Sequence, residues 1–524
     1  MSSLLKKPIS LLIAVNLLIG FFIFRDYGLS WDEPYFYSYA DALGYAYSPS
    51  NWFRADFDLN NSYGISGEDH KTRGPAYLFL ARNFVYGLKA LGSTSASAWH
   101  LVNFLFFQLG IYFLYRLSTR WVSPSAAFAT ALLFSTQPLL WGHAFINPKD
   151  PPFLTFFLAS VCLGFEMVDA IAQNDKNKNR KILIAAFVLG IATSIRVLGP
   201  LAGLLVAIYF ISQLKLGEWK SLLAYGLIAI VFMFATWPYL WESPIQNFIG
   251  VFKLMSDNPT NLSVLFNGQE YRAGDLPLRY LPFMLLTTLT EPVWILFIPG
   301  VIIAYWKRAK TQFNKLDKQV ISLSLILLWL LILLAYVFIR RPAMYDGFRH
   351  FLFILPPMFV FIGFTFEFIF EKVNISSAKL ITIIWLRAIF TALLVLPGLN
   401  GIIHLHPYEY TYYNSFIGGT NGAFRNYETD YWLTCYKESV ERLNAMTSEP
   451  IHLFVKREAY VAAPYAGSNI TVLDLRNTTE QVRSGDYVLV NTRLNDDRST
   501  AKDAPILFEV KRGNATFCIM RQIP

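Results

Sequence analysis

Eleven separate blocks of mainly apolar residues, each roughly 17 to 25 long, constrain this chain more than anything else in it, because that is the length a helix needs to cross a bilayer core. They fall at about 8–24, 98–115, 122–141, 152–170, 182–197, 198–214, 221–238, 281–305, 320–339, 350–370 and 380–397. Lipid offers no partner for backbone N–H and C=O groups, so each block has to satisfy its own, which predicts helix. Only 15% of the residues are charged, against about 25% in a typical soluble domain. The expected fold class is an α-helical polytopic membrane protein of about eleven spans.

The net charge of +9 is unevenly placed. Residues 25–73 and the stretch from 398 onward are slightly acidic, and the remainder carries +14. That excess lies in the membrane region, where basic loops orient helices, so it argues for a membrane and against nucleic acid. With the N-terminus inside, the inner connections hold Arg116 and Arg120; Lys176, Lys178, Arg180 and Lys181; Lys215 and Lys220; Lys307, Arg308, Lys310, Lys315 and Lys318; and Lys372 and Lys379. Lys6 and Lys7 precede block 8–24, which has no small-x-small cleavage site before Arg25 and reads as an uncleaved first span.

An odd count places the C-terminus outside with segments 25–97, 142–151, 239–280 and 340–349, so the functional surface is expected there. Block 76–92 is apolar but interrupted by Arg82, Asn83 and Lys89, which fits an interfacial or re-entrant helix better than a span. The domain division is 1–397 in the membrane and 398–524 outside. The outer part comprises an aromatic-rich connector, 398–434, and a small α/β domain, 435–524, in which KESVERLNAM reads as a helix and IHLFVKR, ITVLDL, DYVLVN and ILFEVKR as strands. Cys162 lies in an apolar block, so Cys435 and Cys518 allow at most one bridge outside the membrane.

Charged residues at outer span ends carry the chemistry. Asp32 and Glu33 stand in SWDEPY directly after the first span. Taken alone they read as a helix cap, since acids there complement the helix dipole, but adjacent carboxylates can also divide the work of a base and an orienting group. In INPKDPPF, Asp150 is a favourable cap before Pro-Pro, whereas Lys149 sits at the unfavourable end of the dipole and calls for an anion or the headgroup region. Lys71 and Arg73 in DHKTRGP, Arg196 in TSIRVLGP, and Arg349 and His350 in FRHFLF break the positive-inside pattern. Snorkelling accounts for Arg340 and Arg341, while Arg196 and Arg349 read as marks of a substrate path. Glu291 either lines the same cavity or marks the start of a shorter span. His143 reads as an interfacial histidine, and Trp52, Trp241 and Tyr271 as an aromatic belt able to stack on a sugar.

SWDEPY, INPKDPPF, TSIRVLGP, FRHFLFILPP and HPYEYTYYNSFIGGTNGAFRNYETDYW together resemble the C-type glycosyltransferase superfamily, in particular the branch of protein O-mannosyltransferases and lipid A aminoarabinose transferases, over residues 8 to about 435. The resemblance implies a polyprenyl-phosphate sugar as donor, a lipid, glycan or protein acceptor, and a site on the extracytoplasmic face of a membrane, in a bacterium the inner one. It matches Asp32 to the first-loop catalytic acid, Glu33 to its partner and Asp150 to the second-loop acid. The family's Lys-Pro-Pro cation falls on Lys71 or Arg73. Because a phosphate departs already anionic, the reaction needs a base and a phosphate clamp but no general acid. Asp32 is the expected base, Glu33 and Asp150 position the acceptor, and Lys71, Arg73, Lys149, Arg196, Arg349 and His350 are candidates to hold the donor phosphate. No cofactor is required; a divalent metal, if one takes part, would bridge Asp32 and Asp150. The rival class is a lipid-linked-sugar transporter or flippase, with the same charges lining a pathway.

Overall fold

The computed structural model describes residues 8–213, 216–256, 260–309, 318–373 and 380–524. Lys6, Lys7, Lys215, Lys310, Lys315 and Lys379 of the expected basic connections lie outside them. Each apolar block is helical: α1 (Pro8–Ile23), α2 (Glu33–Ala46) and α3 (Ala76–Ala90) around the first loop, then α4 (Ser95–Ser118), α5 (Pro124–Ser135), α6 (Pro138–Ile146), α7 (Asp150–Ala172), α8 (Lys178–Ile195), α9 (Pro200–Gln213), α10 (Trp219–Ala235), α11 (Pro244–Ser256), α12 (Tyr280–Thr288), α13 (Glu291–Ala309), α14 (Lys318–Arg340), α15 (Leu355–Val373) and α16 (Leu380–Leu405). By length and composition five of these can cross a membrane, or six if the bent pair α12 and α13 counts as one; α1, α5, α9 and α10 are shorter apolar helices.

Two blocks expected as single spans are broken. Block 122–141 divides at residues 136–137 before Pro138, and block 281–305 divides between α12 and α13, which meet at 110°. Prolines open the second halves, and the freed polar groups meet one another. Gln137 Oε1 accepts from Thr290 N at 3.0 Å, and Gln137 Nε2 donates to Leu133 O at 2.9 Å and Thr290 Oγ1 at 3.0 Å. The buried α7 runs through the middle of the bundle, packed on α4, α8 and α9. At the end opposite Asp150 it carries Asp169, 2.6 Å from Arg120, and Glu166, which pairs with Arg116. Part of the expected inner basic charge is therefore neutralised by α7.

Helix α3 buries Ala76, Tyr77, Ala81 and Val85 and exposes Phe84 and Tyr86. The C-terminal region holds α17 (Cys435–Met446) and a mixed sheet of order β2-β1-β3-β5-β4, with β1 (Ile451–Val455), β2 (Ile470–Asp474), β3 (Tyr487–Asn491), β4 (Ile506–Arg512) and β5 (Ala515–Gln522). The first three strands are parallel and the last two antiparallel. Strand β5, ATFCIMRQ, does not alternate because all but its last residue is buried, and it escaped the sequence pattern. Cys435 and Cys518 form the one bridge the composition allowed, tying α17 to β5.

Candidate functional site

A cavity of about 630 Å³ opens where α2, α7, α8, α9, α11 and α14 approach one another, and the charged span-end residues converge on its polar end. Asp32, Arg73, Lys149, Arg196, Arg349 and His350 all line it, although more than three hundred residues separate Asp32 from Arg349 and His350. Leu201, Leu204, Val251, Phe252, Ile332 and Leu333 form part of its apolar lining.

Local sequence explains how each charge arrives. Asn147 Oδ1 accepts from the backbone N–H of Lys149 at 3.1 Å and of Asp150 at 2.9 Å, a side-chain turn that lets Pro151 and Pro152 start α7. The Asn147 amide also donates to Asp150 Oδ2 at 2.9 Å. Helix α8 ends at Arg196, whose extended backbone lifts its side chain off the helix before Pro200 opens α9. Gly74 is needed where it stands: a Cβ there would lie 1.3 Å from Ser194 O, so only glycine lets Arg73 pack beside the end of α8. Arg349 begins a 3₁₀ turn, Arg349–Ile354, that leads into α15.

Asp150 is buried beneath the cavity floor and is the anchor of the cations. It pairs with Arg196 and lies 3.4 Å from Arg349. Arg349 also lies 3.4 Å from Asp32 and 3.3 Å from Asp346, with its guanidinium 4.9 Å from the Trp432 ring. Lys149 has no carboxylate within ion-pair reach among the described residues; its ammonium lies over the Phe36 ring at 5.8 Å. The buried Nε atoms of Arg73, Arg196 and Arg349 have no hydrogen-bond partner among the described residues. Unpaired N–H groups on cations beside one cavity are costly unless an anion occupies it.

Asp32 is open to the cavity, its side chain 27% exposed. Burial of its charge raises its pKa first, opposed by Arg349 and Arg73 and reinforced by Asp346 and Asp150. A carboxylate raised in this way is a better proton acceptor near neutral pH than an ordinary one. Glu33, expected beside the acceptor, faces the other way. It is fully buried, accepting from Ser30 N at 2.6 Å and from Tyr37 Oη, with His100 Nε2 at 3.1 Å. Glu33 is the first residue of α2 and Asp32 its N-cap position, without a side-chain cap bond; successive residues of a helix diverge by about 100°, so the two carboxylates point in different directions. Lys71 does not line the cavity; its carbonyl accepts from the Trp237 indole at 3.1 Å. Arg73 is thus the cation of that loop at the site.

His143 is buried rather than interfacial, 3.0 Å from Tyr431 Oη and 3.2 Å from Asn147. Glu291 is absent from the cavity and accepts from Ser415 N at 2.7 Å, marking the start of α13. The cavity's indoles are Trp237 and Trp432, not Trp52 or Trp241. Sequence reasoning missed Asn147, Asp346 and Trp432. Asn147 and Trp432 had a local signal, since they lie inside INPKDPPF and at the end of GAFRNYETDYW; Asp346 had none.

Residues 74–241 match the family described as dolichyl-phosphate-mannose-protein mannosyltransferase. Over its full length the chain superposes on ArnT from Cupriavidus metallidurans in the apo state, with TM-score 0.51, 13% identity and coverage of 98% of this chain and 97% of that one. It also superposes on an oligosaccharyltransferase from Archaeoglobus fulgidus, with TM-score 0.53, 11% identity and coverage of 96% and 71%. The chain has the fold of these two structures. A curated relative, undecaprenyl phosphate-alpha-4-amino-4-deoxy-L-arabinose arabinosyl transferase 2 of Pseudomonas fluorescens, is 26% identical over 289 residues, which cover 51% of this chain and 42% of that relative. In this fold the cavity lies where the first loop, the start of α7 and the segment before α15 meet.

Proposed function

We propose that this chain is an integral membrane glycosyltransferase of about eleven spans that moves a sugar from a polyprenyl-phosphate donor to an acceptor hydroxyl. The site and C-terminal domain face the extracytoplasmic side, the periplasm if the membrane is a bacterial inner one. One observation carries the reading: a single cavity joins an apolar lining to a polar part holding one accessible carboxylate and four cations, Arg73, Lys149, Arg196 and Arg349. A polyprenyl phosphate has that same division between an apolar tail and an anionic head.

The chemistry follows from the placement. Asp32 takes the acceptor's proton while the acceptor oxygen attacks the anomeric carbon. The bond from that carbon to the phosphate oxygen breaks, and its electron pair leaves with polyprenyl phosphate. The cations stabilise the charge that develops there. Attack opposite the leaving group inverts the anomeric centre. A divalent ion between Asp32 and Asp150 does not fit the donor set, because the Asp150 oxygens are occupied by Arg196, Arg349 and Asn147. The acceptor is a lipid, a glycan or a protein presented at the outer surface.

The test is to supply the purified protein, in lipid nanodiscs, with a panel of synthetic undecaprenyl-phosphate monosaccharides and follow donor loss and undecaprenyl phosphate release by mass spectrometry. Release of undecaprenyl phosphate with formation of a glycosidic bond is expected. Movement of intact donor between leaflets without cleavage would assign the chain to the transporter class instead.

A further inference from the structure

The C-terminal domain reaches the site through a chain of charges. Arg493, on the loop after β3, is buried; one guanidinium nitrogen lies 2.7 Å from Asp346 Oδ1 and the other 3.2 Å from Glu428. Its guanidinium also lies 4.7 Å from the ring of Trp31, the residue before Asp32. The other oxygen of Asp346 accepts from the Trp432 indole at 3.1 Å and lies 3.3 Å from Arg349, which reaches Asp32 and Asp150. Both ends of the link are held by left-handed backbone. Asp346 has φ +55°, and Leu494 and Asn495, directly after Arg493, have φ +55° and +60°. A left-handed leucine is costly and persists where surrounding contacts impose it. Those contacts include Asn491 Oδ1, which accepts from Arg493 N at 2.6 Å.

Without Arg493, Glu428 would lose its ion-pair partner in a buried setting, and Arg349 would be left as the one cation beside Asp346 among the described residues. Arg349 would then be drawn away from the cavity, and the cluster would lose one positive charge. Both effects weaken attraction for an anion.

We propose that Arg493 is a positioning residue for the donor phosphate, holding Asp346 so that Arg349 stays directed at Asp32 and the cavity. This rests on the reading of the cavity as a polyprenyl-phosphate site. Arg493 touches no substrate; it acts through Asp346 and Arg349. The segment around Asp32 is held from the same domain, with Tyr465 Oη accepting from Leu29 N and Tyr460 Oη donating to Trp31 O, each at 2.9 Å.

The experiment titrates undecaprenyl phosphate into the full-length protein in detergent micelles. It compares wild type with R493Q, R493K, D346N, the double variant R493Q/D346N, and R425Q as a control. Arg425 pairs with Asp497 of the same domain, 2.6 Å away, but lies off the chain that leads to Arg349. R493Q should bind about tenfold more weakly, the effect of one unit charge about 10 Å away in partly screened surroundings. R493K should lose less, and R425Q should match wild type. D346N alone should bind no more weakly than wild type, and adding it to R493Q should restore most of the loss, since the harm is carried by the stranded carboxylate. Wild-type binding by R493Q, or a loss that D346N does not repair, would overturn the proposal. If R493Q does not accumulate, R493K and D346N still test it through the same ordering. A wild-type protein that binds no undecaprenyl phosphate would instead refute the donor assignment, and this inference with it.

Discussion

Asp32→Asn and Asp150→Asn remove the same charge from two acids a few ångströms from one guanidinium, yet they should fail in opposite ways. Among the described residues the Asp32 carboxylate makes one ion pair, 3.4 Å to Arg349, which keeps Asp150 and Asp346 as further partners. Its side chain is 27% exposed and burial disfavours its charged form. Replacing it by a neutral isostere should change stability by less than about 1 kcal/mol. Turnover should fall by roughly 10²-fold or more through loss of the base, about 2.7 kcal/mol of barrier at 1.36 per decade. Asp150 is 2% exposed and holds both Arg196 and Arg349. Its loss leaves Arg196 without a carboxylate partner among the described residues and removes one of three from Arg349, which costs about 3–5 kcal/mol. The assay measures the thermal unfolding midpoint and undecaprenyl-phosphate sugar consumption on one detergent-purified preparation of each variant. Asp32→Asn should unfold near the wild-type temperature and be nearly inactive, while Asp150→Asn should unfold many degrees lower. An active Asp32→Asn variant, or equal destabilisation of the two, would refute the division into a chemical and an architectural acid.

Because a base must be deprotonated to act and the Asp32 pKa is raised, kcat/KM should fall as pH drops through a value above the usual carboxylate range. A pH–rate profile flat down to that range would exclude Asp32 as the titrating group. Glu33→Gln should weaken the contacts to Ser30, Tyr37 and His100 and lower stability by about 1–3 kcal/mol, while turnover per folded molecule changes by only a few fold. Turnover should survive EDTA, since Arg196 and Arg349 occupy Asp150 where a metal would bind; loss on chelation with recovery on magnesium would reverse that reading.

Much of this site was legible because membranes make charge conspicuous. Arg196 and Arg349 stood out as cations at outer span ends, and the structure brings both to the cavity with Asp32, Arg73 and Lys149. Direction was not legible. Asp32 and Glu33 are neighbours with the same chemistry, and which one turns inward depends on where α2 begins and on His100, sixty-seven residues away, neither visible in SWDEPY. Asp346 and Arg493 were illegible for a different reason. Each looks like an ordinary charge in an exposed loop, and their burial comes from docking the C-terminal domain onto the segment before α15.

Hydropathy also hid the helix breaks, and these position the residues it revealed. A window over 122–141 registers apolar content but cannot detect that Gln137 finds its partner at Thr290, 153 residues away. With that partner the chain can leave α5, turn, and restart at Pro138 without stranding buried polar groups. The restarted helix α6 packs against the connector: a Cβ on Gly142 would lie 2.4 Å from Tyr410 N, and His143 meets Tyr431. Its last residue, Ile146, leads directly into Asn147, whose side chain orients Asp150. A continuous helix through 136–138 would carry Asn147 and Asp150 along the axis of α5 instead of along α6. The break therefore sets where the anchoring acid lies, and through Arg196 and Arg349 where the cations point.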